Sequence, residues 1–236
     1  MIWLCGDTHG EINIDKVEKF FLYESKVTKK DFLIILGDAG VCWDGGMSDD
    51  IVQDILTKLP CTVLWLDGNH ENFDLIEEYP VKEWHGGKVQ VMPGNLIHLM
   101  RGQVYDIDGH TFFIFGGGHS IDKMYRREHI SWWPQEMPSK EEYEEGKKNL
   151  KKADWKVDYV LTHTCPHSIA VCLVTKLMKG EEELQDYLDW VRGNVDYKRW
   201  YFGHWHMDAV VKGEHQCLWQ KIVAIPPKEE AARSEG

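Results

Sequence analysis

Short, predominantly apolar runs recur along the chain, and each stops abruptly at a glycine or a polar residue. Ile2 to Cys5, Phe32 to Leu36, Cys61 to Leu66, Val157 to Leu161 and Trp200 to Phe202 are of this kind. A strand buried on both faces reads this way, because neither set of alternate side chains meets water. Amphipathic stretches lie between the first three. Ile14, Val17, Phe20 and Phe21 share one face of a helix expected from its cap Asn13 to about Lys26. Ile51, Ile55, Leu56 and Leu59 do the same in a helix capped by Ser48, and a short helix from about Asn72 to Glu78 stops at Pro80. This rhythm predicts parallel strands joined by crossover helices.

From about Lys88 the texture changes. Leu96 to Met100, Gln103 to Ile107 and Thr111 to Phe115 are separated by the short turns Arg101-Gly102 and Asp108-Gly109. They predict an antiparallel meander forming a second sheet. Residues 119–138 show no regular period. Ser139 and Glu142 then form a capping box for a helix reaching about Ala153, acidic early and basic late as the helix dipole favours. Two further helices are expected, about Ser168 to Met178 and Glu181 to Arg192, and two final strands, Ala209 to Val211 and Cys217 to Val223. No repeat or linker interrupts residues 1–225, which read as one domain. Residues 226–236 are charged and proline-bearing and read as a frayed tail.

Composition adds exclusions. A chain of 236 residues, 43% hydrophobic and 28% charged, has ample length for a core. No run approaches the roughly 18 apolar residues of a membrane span, and the first residues lack a secretory pattern, so a cytoplasmic location is expected. The six cysteines include no Cys-x-x-Cys pair and read as reduced thiols acting as small core hydrophobes. A net charge of −12 disfavours a nucleic-acid partner, which wants a basic surface, but not a phosphate ester captured at a local cationic site.

The chemistry lies where the apolar runs end. Asp7 and His9, then Asp38, then Asn69 and His70, then His163, then His204 and His206 each follow one of the five runs. In open α/β folds such strand ends line the ligand crevice. Carboxylate, imidazole and amide together suit a borderline-hard divalent ion such as Mn, Fe or Zn. Without His70 there remain seven donors, too many for one tetrahedral ion and suited to two ions sharing a carboxylate. Two metals about 3.5–4 Å apart are a recurrent device for phosphate-ester hydrolysis.

In order and wording, Gly6-Asp7-Thr8-His9-Gly10, Gly37-Asp38, Gly68-Asn69-His70-Glu71, His163 and Gly203-His204-Trp205-His206 resemble the calcineurin-like metallophosphoesterase superfamily over residues 6–206. The resemblance implies an α/β fold of mixed α+β character, a four-layer αββα sandwich with two mixed sheets flanked by helices. It implies Asp7, His9 and His206 on a first metal ion, Asp38 as bridge, and Asn69, His163 and His204 on a second. His70, protonated, would assist the leaving group or hold a phosphate oxygen while hydroxide attacks from between the ions. Manganese is one candidate metal.

Thr8 and Glu71 are similar to the protein-phosphatase and dinucleotide-polyphosphatase branch, but other positions depart from it. Val41 stands where that branch has a His-orienting Asp, and Asp67 where it has an Arg. Asp44 or Glu71 is expected to orient His70 instead. His119, Arg126 and Arg127, with Asp122, follow three glycines and are expected to supply a replacement phosphate clamp. Trp205 is expected to pack behind the ligands, and His85, His98, His110, His129, His167 and His215 to be structural or superficial. The expected activity is phosphoester hydrolysis on a small or exposed ester, monoesters favoured. The alternatives are a phosphodiesterase or nuclease, and a binding scaffold without chemistry. Oligomeric state has no signal in the sequence.

Overall fold

The computed structural model describes residues 1–24, 26–177 and 179–228. The first half follows the expected rhythm: β1 (Ile2–Cys5), α1 (Asp15–Tyr23), β2 (Phe32–Leu36), α2 (Met47–Lys58), β3 (Thr62–Leu66) and α3 (Phe73–Glu77). Next come β4 (Val81–Trp84), β5 (Gly87–Val91), β6 (Ile97–Leu99), β7 (Gln103–Ile107) and β8 (His110–Phe115). The second half holds α4 (Lys140–Lys152), β9 (Tyr159–Thr162), α5 (His167–Leu173), α6 (Glu182–Asn194), β10 (Arg199–Phe202), β11 (Ala209–Val211), β12 (His215–Cys217) and β13 (Val223–Ile225).

The strands form two mixed sheets, ordered β13-β1-β2-β3-β6-β5-β4 and β11-β12-β10-β9-β8-β7. In the first, β1, β2, β3 and β6 run parallel; in the second, β8, β9, β10 and β12 do. Period-two alternation sorts their side chains into layers. Leu33, Ile35, Val63 and Trp65 pack against Val17, Val52 and Leu56 of the helices over the first sheet. Their neighbours Ile34, Leu36, Leu64 and Leu66 meet Phe112, Ile114 and Leu161 of the second sheet. Phe113, Phe115 and Val160 face Leu150, Leu184 and Leu188 of the other helix layer. The fold is thus a four-layer αββα sandwich. Among the described residues no helix is long and apolar enough to cross a membrane, and the six cysteines are free thiols, all but Cys172 buried.

Several local expectations are corrected. The meander does not exist as one unit: β6 pairs in parallel with β3 in the first sheet, and only β7 and β8 form a hairpin in the second. A second hairpin, β4–β5, extends the first sheet; its mixed polar pattern hid it. Asn13 does not cap α1, because a single 3-10 turn at Gly10–Ile12 intervenes and the chain enters α1 through Ile14. Ser48 lies inside α2, whose N-cap Gly46 has no side-chain cap, and Asp49 in the first turn instead holds the preceding loop by accepting from the N–H groups of Trp43, Asp44 and Gly45. Asn72 and the Ser139/Glu142 box cap as expected. Helix α5 ends at Leu173, where Val174 turns extended, and Met178 lies outside the described residues. The strand expected from Cys217 to Val223 is split between β12 and β13, which belong to different sheets. Of the expected tail, the Pro226 carbonyl accepts from His110 and Lys228 pairs with Asp158; residues 229–236 lie outside the described residues.

One buried ion pair fixes the irregular segment 119–138 to this frame. Asp67, just past β3, meets Arg101 (Nη2 2.6 Å, Nε 2.8 Å) and His98 (3.2 Å), all buried. Arg101 also donates to the carbonyls of Gln135 and Glu136 and pairs with Glu142 of α4. Burial raises the Asp67 carboxyl, but Arg101 and His98 outweigh it and hold it down at about 2. Because that lies below the unfolded value, the stabilisation is present above about pH 4 and lost as pH falls toward 2. Asp67→Asn leaves a buried guanidinium short of its counterion, which typically costs about 3–5 kcal/mol. Urea titration at neutral pH is expected to show a loss of that size; an unchanged midpoint would mean that the pair does not hold the segment.

Candidate metal centre

The parallel strands of both sheets end on one rim. There the chain takes left-handed backbone at Asp7 (φ 47°), His9 (46°), Asp38 (48°), His204 (66°) and His206 (47°). Non-glycine residues seldom adopt it, and such strain collects at functional sites. Hydrogen bonds hold the turns in place: His9 N–H donates to the Asp38 carbonyl (2.7 Å), Thr8 Oγ1 to the Ala39 carbonyl (2.9 Å), and His204 N–H to the Asp7 carboxylate (2.9 Å). Gly68 is required by close approach, since a Cβ there would sit 2.1 Å from Asp38 Oδ1.

The seven expected ligands come together around Asp38. On one side His9 Nε2 lies 2.8 Å from His206 Nε2 and 3.8 Å from Asp38 Oδ2, and His206 lies 3.9 Å from Asp7 Oδ1. On the other, His163 Nε2 is 3.4 Å from Asp38 Oδ1 and 3.2 Å from Asn69 Oδ1. His204 Nδ1 is 3.0 Å from the same Asn69 oxygen and 3.2 Å from His163 Nε2. Asp38 therefore presents one oxygen to each group.

Hydrogen bonding on the outer side decides what these atoms offer. His163 Nδ1 donates to the Leu36 carbonyl at 2.8 Å, which turns its Nε2 inward. His204 Nε2 faces Glu181 Oε1 at 3.4 Å, which does the same for Nδ1. Asn69 Nδ2 donates to Ser120 Oγ, so its oxygen points inward. Asn69 Oδ1, His163 Nε2 and His204 Nδ1 thus converge on one point, which calls for positive charge from a proton or a metal ion. Without a metal ion a proton meets that need: burial opposes it on His163, yet Asp38, Asp7 and the Leu36 carbonyl raise the imidazole to about 10. Burial would lift Asp38, but His163, His70 and His9 hold it well below the carboxylate range. Burial, with Asp38 nearby, pushes Asp7 up to about 7. The donor set fits divalent Mn, Fe or Zn.

Sequence reasoning missed the supports. Glu181 also accepts from Thr164 Oγ1 and Gln185 Nε2. Lys16 on α1 ties the Gly6 and Asp7 carbonyls to that of Trp219. Trp219 stacks on the half-exposed His206 ring at 5.6 Å and 18°. None of these supports belongs to the Asp, Asn and His pattern at the ends of the five runs, so spacing gave no sign of them. Trp205 packs edge-on against His204, as expected.

His70 sits beside both groups, its N–H donating to Asp38 Oδ1 at 2.8 Å and its ring 5.3 Å from that of His9. Neither Asp44 nor Glu71 orients it: Asp44 accepts from Gly46 N–H, and Glu71 is fully buried and accepts from Ala39 N–H. Arg126 takes that place, donating from Nη1 to His70 Nδ1 at 3.1 Å while pairing with Asp122 at 2.8 Å. The ring hydrogen is therefore on Nε2. Burial lowers the imidazole's proton affinity, Asp38 works against this and Arg126 lowers it further, a balance that favours the neutral ring over the expected protonated one. A cavity of about 490 Å³ opens above, lined by His70, His119, Arg126, Lys176, Lys179 and Gln185 among others. Arg127 is exposed and does not line it, its N–H being held by Ser131 Oγ. His98, His110 and His215 are buried away from the centre, and His85, His129 and His167 are exposed.

A family model described as calcineurin-like phosphoesterase matches residues 1–208. Two solved structures resemble the chain. One is a phosphopantetheinyl hydrolase from Mycobacterium tuberculosis, at 19% identity and TM-score 0.47, with 98% of this chain and 92% of that one covered. The other is TT1561 of Thermus thermophilus, at 12% identity and TM-score 0.48, with 92% and 87% covered. No curated protein matches the chain.

Outer-sphere carboxylates on ligand imidazoles typically affect metal affinity by about 10–100-fold. Glu181→Gln is expected to weaken Mn²⁺ binding in calorimetric titration by that factor while the circular dichroism spectrum is unchanged. Unaltered affinity would remove Glu181 from the centre.

Proposed function

Because the chain belongs to the calcineurin-like phosphoesterase family, we propose that it hydrolyses phosphate esters at a pair of divalent ions, monoesters being the favoured class. Metal-dependent phosphoester hydrolysis is the family's chemistry. In this reading Asp7, His9 and His206 hold one ion, Asn69, His163 and His204 the other, and Asp38 is shared. The observation that carries it is the convergence of Asn69 Oδ1, His163 Nε2 and His204 Nδ1 within 3.0–3.2 Å. Bound ions supply Lewis acidity toward the phosphoryl oxygens and an activated water as nucleophile.

The protein's own residues do the rest. The outward contacts of His163 and His204 aim their inner nitrogens at the site, where a bound metal ion would take the place of the proton that His163 otherwise holds. His70 offers its Nε2–H to the phosphoryl or leaving oxygen, and the Arg126 guanidinium holds the ring in that tautomer. A positioned donor aimed at developing charge contributes about 10²–10³-fold. Arg126 also brings positive charge to the cavity wall in a chain of net charge −12.

One observation favours diesters as a second reading. His70 also lines a further cavity of about 340 Å³ with His9, Ile12, Trp43 and Ser48, so there is room on each side of it for an ester substituent. With Mn²⁺ present, turnover of an aryl phosphomonoester but not a bis-aryl diester supports the first reading, and the opposite result supports the second. Turnover of neither, with metal stoichiometrically bound, points to a scaffold. His70→Ala is expected to lower kcat by about 10²-fold or more with metal content unchanged; loss of the metals in that variant would contradict the role given to His70.

A further inference from the structure

Part of the wall of the 490 Å³ cavity comes from the connection between α5 and α6, which contributes Lys176 and Lys179. The acids around this cavity are all engaged. Asp122 pairs with Arg126, Asp38 belongs to the metal centre, and Glu181 serves His204, Thr164, Gln185 and the His119 N–H. Among the described residues, neither Lys176 nor Lys179 forms an ion pair with a carboxylate, although Glu182 lies within electrostatic reach of Lys179, so the two lysines bring positive charge to the cavity wall in a chain of net charge −12. The placement is built in. Gly180, at φ +113°, is packed so closely on the His119 ring that a Cβ would come 2.4 Å from Nε2. That contact fastens the end of the lysine-bearing connection to the segment after β8. The nine-tenths-buried His119 lines the same cavity, and its Nδ1 has no hydrogen-bond partner.

A cavity of this size falls in the range of about 300–1,000 Å³ for small-molecule sites, which exceeds what one phosphoryl group needs. We propose that Lys176 and Lys179, with His119 and Gln185, form a second anion subsite, and that the preferred ester carries a second phosphate group on its leaving portion. Lysine ammonium groups act as point charges toward phosphate, and the scissile phosphate lies at the far end, over the metal centre. The inference rests on the phosphoesterase reading above.

The test compares glucose 6-phosphate with glucose 1,6-bisphosphate, each as substrate of the full, Mn²⁺-loaded protein and as inhibitor of p-nitrophenyl phosphate hydrolysis. The bisphosphate is expected to show about tenfold or greater advantage in kcat/KM or in inhibition, the scale of one charge-assisted hydrogen bond. Lys176→Ala/Lys179→Ala removes that advantage through KM, leaves p-nitrophenyl phosphate turnover within about twofold, and Lys176→Arg/Lys179→Arg retains it. Equal behaviour of the two sugars, or a double variant that slows all substrates alike, would overturn the subsite while leaving the phosphoesterase reading intact. No hydrolysis of any of the three would overturn that reading and the subsite with it.

Discussion

Three polar atoms held against one another organise this molecule. Asn69 Oδ1, His163 Nε2 and His204 Nδ1 lie 3.0–3.2 Å apart, on side chains whose outer atoms are already committed to Ser120, Leu36 and Glu181. Such an arrangement is repulsive without positive charge at its centre, and the fold is what forces it. The two sheets bury Ile34, Leu36, Leu64 and Leu66 against Phe112, Ile114 and Leu161, so the ends of β2, β3, β9 and β10 have nowhere to diverge. The side chains that follow must meet. Left-handed turns at Asp7, His9, Asp38, His204 and His206 are the local strain that this meeting requires, stabilised by the apolar layers beneath.

Much of this was legible from the sequence, for a physical reason. Buried parallel strands are continuous apolar runs, and their ends are where polar groups gather, so five runs ending in Asp, Asn or His already marked the rim. What was not legible depends on contacts between segments distant in sequence. The short β6 reads like any strand, and only its pairing with β3 assigns it to the first sheet. Asn13 and Ser48 are good caps by type, but a 3-10 turn after His9 displaces the first, and the second helix starts at Met47 after Gly46, which places Ser48 inside it. Glu181, Lys16 and Trp219 carry no motif; they matter because the fold lays them behind ligands.

His70 shows the same limit at the level of chemistry. Its place in Gly68-Asn69-His70-Glu71 was plain, but its proton state was not, because Arg126 arrives from a segment without regular period. A guanidinium against Nδ1 makes His70 a neutral donor rather than an imidazolium acid. The same segment is pinned to the sheets by Arg101 and Asp67, so a buried ion pair outside the centre helps to place the guanidinium against His70. The acidity of the whole chain is no obstacle to binding phosphate, since Arg126, Lys176 and Lys179 place positive charge around one cavity.

The central claim is that the seven strand-end side chains enclose cations. Crystals grown with Mn²⁺ and measured at an anomalous wavelength test it directly. Two peaks are expected, one among Asp7, His9 and His206 and one among Asn69, His163 and His204, with Asp38 between them. A map without peaks there, in crystals that show Mn²⁺ elsewhere, would contradict the account.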